Sequence, residues 1–115
     1  MTIHVLTHDD TQDHALRLDN TVDAHAVDFA GVSCIRLDFP KFTDGRAYSQ
    51  AFVLRRRGFS GDLRATGDVL VDQLLPMQRN GFTSAVLRAD QDPQHAERLL
   101  NQFAGFYQGD ALQRQ

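Results

Sequence analysis

CIRLDFPKFTDGRAYSQAFVLRRRGFSGDLRAT, residues 34–66, is the stretch that decides the fold. Its first six residues, Cys34-Ile35-Arg36-Leu37-Asp38-Phe39, form the best strand candidate of the chain. Pro40 ends that run. From Asp44 to Arg57 the period changes. Ala47, Tyr48, Ala51, Phe52 and Leu54 recur at spacings of three and four and predict one apolar helix face, with Arg46, Gln50 and Arg57 opposite. Thr43 or Asp44 can cap the start. Gly58-Phe59 closes the helix, and Asp62-Leu63-Arg64-Ala65-Thr66 reads as a second strand. Two strands joined by one helix run parallel, with a right-handed crossover.

The punctuation of that unit recurs outward along the chain. Gly31-Val32, Gly58-Phe59, Gly81-Phe82 and Gly105-Phe106 follow one another every 23 to 27 residues. Glycine tolerates the left-handed conformation that ends helices, and the next apolar residue packs back on the last turn. A further helix is predicted over Asp68–Asn80, with Val71, Leu74, Leu75 and Gln78 in helical spacing and a kink or an early change of helix at Pro76. Another is predicted over Asp92–Ala104, with Pro93 in the first turn and Ala96, Leu99, Leu100 and Phe103 inward. A weaker helix spans Thr21–Ala30, capped by Asn20, with Val22, Ala26 and Phe29 inward. Ala15–Leu18 and Ser84–Arg88 complete the strands. Residues 1–13 read as an extra edge strand or a loose tail. The expectation is one α/β domain over residues 1–115, with about four parallel βα units in an open sheet or a partial (βα) barrel.

Composition narrows the function. Twelve basic against fifteen acidic residues leave a net charge of −3, which argues against a nucleic-acid binder. With one cysteine, Cys34, the chain has no internal disulfide, no four-cysteine zinc site and no iron–sulfur cluster of its own. Cys34 reads as a small core residue. The opening Met1-Thr2-Ile3-His4 lacks a basic region followed by an apolar stretch, and no window approaches a membrane span. The expected location is therefore the cytoplasm, with no membrane partner. His4, His8 and His14, with Asp9, Asp10 and Asp13, are metal-ligating types without a shared spacing, so a solvated segment is expected and no metal. Arg55-Arg56-Arg57 complements a helix C-terminus.

Leu37-Asp38-Phe39-Pro40-Lys41-Phe42-Thr43-Asp44-Gly45-Arg46-Ala47-Tyr48-Ser49, Gly61 through Leu74 (GDLRATGDVLVDQL) and Arg79-Asn80-Gly81-Phe82 together resemble the signature of a bacterial family, domain of unknown function 934. The resemblance covers roughly Leu16 to Phe82. Members are often labelled as probable oxidoreductases involved in sulfite reduction, a label that reflects gene neighbourhood beside sulfite reductase. The family supplies no catalytic residues to carry over.

In parallel α/β folds, ligands bind at the carboxyl ends of the strands. That edge is expected to gather Lys41, Asp44, Arg46, Arg64 and Asp68, with Arg88 and Asp90 beyond them. Gly45 and Gly67 would let an anion approach the helix N-termini, and the cations would add charge-assisted bonds. The competing account is that the aspartates cap helices and the arginines pair with acids between loops. Tyr48 and Ser49 have no matched base nearby, and no complete phosphate-loop or dinucleotide fingerprint is present, so no cofactor is expected. The expected function is an accessory protein of assimilatory sulfur metabolism, binding a partner enzyme such as sulfite reductase or a small oxyanion. The alternative is a small oxidoreductase using a partner's cofactor. Exposed sheet edges leave a homodimer open.

Overall fold

The computed structural model describes residues 2–9 and 15–111, with side chains as far as residue 102. Alternation sets the strands. They are β1 (His4–Leu6), β2 (Ala15–Leu18), β3 (Cys34–Phe39), β4 (Asp62–Gly67) and β5 (Ser84–Val86). Helical periodicity sets α1 (Arg46–Arg56), α2 (Leu74–Arg79) and α3 (Pro93–Ala111). All strand pairs are parallel, in the order β1-β5-β4-β3-β2. The sheet is open, so of the two expected architectures the partial barrel is excluded. It has five strands rather than about four, because the N-terminal segment supplies an edge strand beside β5.

From β2 to β5 each strand lies next to its successor. Right-handed crossovers that all step the same way put their helices on one face. The core confirms this. Ile35, Leu37, Phe39, Leu63, Ala65 and Ala85 point to that face and are buried with Leu54, Leu74, Met77 and Phe82. Phe39, Tyr48 and Phe82 meet there with ring centroids 5.2 to 6.3 Å apart. The Tyr48 hydroxyl donates to Gln73 Oε1 at 2.9 Å, which satisfies its polar end. The alternate residues of the same strands face the other way, and the described helices lie on the first face rather than this one.

Several expectations need correction. Thr21–Ala30 is not a helix. It contains only a 3-10 turn at Ala24–Ala26, and Ala26 is exposed. Asp19, Asp23 and Asp28 each accept the backbone N–H two residues on, from Thr21, His25 and Ala30, and these local bonds compete with a helix. In α1, Phe52 is exposed and Gln50 is buried, the reverse of the expected faces. Gln50 Nε2 donates to the carbonyls of Asp19 and Val22, so the neighbouring loop draws it inward. Gly31, Gly58 and Gly81 do adopt positive φ, but Gly105 lies within α3, which runs on to Ala111. Pro76 falls in the first turn of α2, just after a 3-10 turn at Val71–Gln73, where a missing N–H costs nothing. Leu99 is half-buried against the core. The Phe103 side chain, and residues Asp10, Asp13 and His14, fall outside what is described.

Candidate functional site: a self-paired rim and a row of arginines

Loops leave β3 and β4 at the same edge of the sheet, and four of the five expected site residues lie there. They form two clusters. Asp44 accepts the backbone N–H of Arg46 at 3.0 Å, which caps α1 one residue outside it. Its carboxylate also takes Arg46 Nε at 3.1 Å and Nη2 at 2.8 Å, and Asn20 Nδ2 at 2.5 Å. Asp68 accepts the Phe42 backbone N–H at 2.8 Å and Arg88 Nη1 at 2.5 Å, while Arg88 forks onto Asp90 at 2.7 and 2.8 Å. The Lys41 carbonyl accepts the Asp44 N–H at 3.0 Å, and its side chain is exposed. The rim cations are thus largely bound to rim carboxylates. A topological reason underlies this closure. Ligand crevices open where successive crossovers diverge, and from β2 to β5 they all run one way.

These bonds depress the carboxyl pKa values. Asp44 lies down at about 2, chiefly through the Arg46 side chain and then its backbone N–H, and Asp90 lies at about 2 through Arg88. Asp68 is lowered by Arg88 and by the Phe42 N–H. A carboxylate whose folded pKa lies below its unfolded value of about 3.9 stabilises the fold above that value. The stabilisation is lost as pH falls through the folded pKa. The rim is therefore expected to untie between about pH 4 and pH 2. Carboxyl NMR titration should place the Asp44 and Asp90 midpoints near 2. Midpoints of about 4, the free value, would remove the ion pairs from this description.

Arg64 does not join the rim. It sits inside β4 between core-facing Leu63 and Ala65, so alternation turns it to the helix-free face. The register there aligns His4, Ser84, Arg64, Arg36 and Arg17 in one row across all five strands. Three guanidinium groups on adjacent strands would repel one another without anions. Asp9, in the connection between β1 and β2, supplies one. Its two carboxylate oxygens accept Arg36 Nη1 at 2.8 Å and Arg64 Nη1 at 3.0 Å. Arg64 also donates Nε to Ser84 Oγ at 2.9 Å and Nη2 to Asp62 at 3.1 Å. Asp9, three residues beyond β1, thus reaches this face from outside the sheet.

Cys34 is on the same face and donates to Asp62 at 3.5 Å. Burial, and then the nearby Asp62 charge, push its thiol up to about 11, so it is held as a thiol and not a nucleophile. Among the described residues no three His, Cys, Asp or Glu side chains gather as a metal site. No helix among them is long and apolar enough to cross a membrane. Cavities of about 270 and 460 Å³ lie at the amino ends of the strands, around Gly81 and Gly61, away from the rim.

The chain matches the family described as bacterial protein of unknown function (DUF934) over residues 15–115. It belongs to that family. No curated protein and no solved structure matches it. The match includes four strands and all three helices, and it leaves β1 and Asp9 outside. In this DUF934 chain the arginine row was missed by sequence reasoning, although a signal existed. Leu16-Arg17-Leu18, Ile35-Arg36-Leu37 and Leu63-Arg64-Ala65 repeat an arginine between core-facing residues in three successive strands.

Proposed function

We propose that this chain is an accessory protein of sulfite assimilation that docks onto a partner enzyme, sulfite reductase or a related one, through its helix-free face. One observation carries the reading. Parallel sheets are ordinarily covered on both faces, and here the second face carries, in place of helices, a register-aligned row of arginines whose outer member, Arg17, is exposed while Arg36 and Arg64 are largely covered and paired with Asp9. Its partner therefore offers carboxylates. Such a surface suits recognition: its Ser84 hydroxyl and Cys34 thiol are both held by Asp62, and burial keeps the thiol protonated. The link to sulfur rests on the family resemblance and its gene neighbourhood.

A tagged chain recovered from cells growing on sulfate, with its companions read by mass spectrometry, tests this. A sulfur-assimilation enzyme should co-purify with the wild type and be lost with Arg17→Glu, which reverses an exposed charge at the open end of the row. Recovery of that enzyme by both proteins, or by neither, overturns the docking surface.

A further inference from the structure

Asp9 is an unusual occupant of the arginine row. It is not part of the sheet and lies three residues beyond the edge strand β1. It bridges two guanidinium groups on neighbouring strands, one carboxylate oxygen to each. With Arg36 it makes a single bond, and the buried Nε of Arg36 has no hydrogen-bond partner. A guanidinium can give an oxyanion two parallel N–H bonds, so Asp9 uses this site below its capacity. Beside it, Ser84 Oγ already accepts Arg64 Nε and fixes that side chain, which is largely buried. The arginines are thus preorganised by the sheet, while the anion they hold is tethered by a loop.

We infer that Arg36 and Arg64 form a binding site for a small tetrahedral oxyanion of the sulfate or phosphate type, and that Asp9 is its resident self-ligand. An incoming dianion displaces the carboxylate, takes both Nη1 donors and engages the free Nε edge of Arg36. This site is distinct from the rim and does not depend on a protein partner. Asp9 sets the affinity by competition. Apparent affinity falls with the fraction of time the site is blocked, so a carboxylate bound nine-tenths of the time weakens an external anion about tenfold.

Calorimetric titration of the full chain with sodium sulfate at low, matched ionic strength tests the inference, with thermal melts to verify folding. Asp9→Asn should bind sulfate about tenfold more tightly than the wild type. Arg36→Gln should lose binding. Arg36→Lys, which keeps the charge and loses the fork, should weaken it and serves if the glutamine variant does not fold. Affinity unchanged by Asp9→Asn, or sulfate binding that persists undiminished in both Arg36 variants, overturns the site. So does the absence of binding by wild type and Asp9→Asn alike. The partner recovery described above is unaffected by that failure.

Discussion

Arg55→Met should lower the free energy of unfolding by about 3 kcal/mol, an unusually large loss for a side chain drawn from a basic run at a helix end. Arg55 Nε and Nη2 donate to the Gly81 carbonyl at 3.0 and 2.8 Å, and Nη1 donates to the carbonyls of Phe59 and Gly61 at 2.9 and 2.8 Å. One guanidinium thus ties together the turns that precede β4 and β5. Its carbon 5.7 Å from the Phe59 ring centroid adds a cation–π contact. Hydrogen bonds to a charged group contribute about 1.5–3 kcal/mol each, so four of them would sum to far more than 3. The cavity of about 270 Å³ beside Gly81 lets water rehydrate part of the exposed backbone, which lowers the loss. Methionine keeps the apolar stem and isolates the effect of the head. Arg55→Lys should recover less than half, because one ammonium cannot span three carbonyls. Urea unfolding reads both. A midpoint unmoved by Arg55→Met would mean that water alone serves these carbonyls.

Leu74→Ala should cost about 2–5 kcal/mol. Leu74 opens α2, is fully buried, and lies in the same cluster as Leu54, Met77 and Phe82. A helix of six residues has little stability of its own, so its hold on the sheet comes from such anchors. Removing the Cγ and its two methyl groups there leaves a cavity that the flanking 3-10 turn cannot collapse into without breaking its bonds. Leu99→Ala, at a half-buried position, should cost distinctly less. The denaturant slope should stay constant while the midpoint falls. Equal losses at both sites would show that burial does not rank them.

The particular residues that were legible share one property: their pattern is enforced by a single period. Cys34–Phe39 alternates strictly, and β3 has those bounds. Asp62–Thr66 extends by one residue to Gly67, whose positive φ ends β4. That β3, β4 and β5 are parallel members of one sheet follows from their single-helix connections, whereas the full strand order is not readable from them. What stayed hidden depends on partners distant in sequence. Gln50 is buried because a loop some thirty residues away offers two carbonyls. Arg55 and Arg57 read as helix-end charges, yet Arg57 Nη1 donates to the carbonyls of Ala24 and Val27 at 2.8 and 2.7 Å. Gly105 permits a turn without compelling one. Arg64 is expected at the rim although it lies inside the strand read over Asp62–Thr66, two residues short of that strand's end. Its alternation with Leu63 and Ala65 sends it to the far face instead, where only register, invisible in one sequence, brings it beside Arg36.

We place the proposed anion-recognising surface on the helix-free face and not on the rim. Side-chain and backbone N–H shifts of the full chain, followed by NMR during sulfate addition, test it most directly. The predicted result is movement of the Nε–H signals of Arg36 and Arg64 and of the amides around Asp9, Arg36 and Arg64, with the rim signals of Phe42, Arg46 and Asp68 unmoved. Shifts centred on Phe42, Arg46 and Asp68, with the Arg36 and Arg64 signals still, would contradict it.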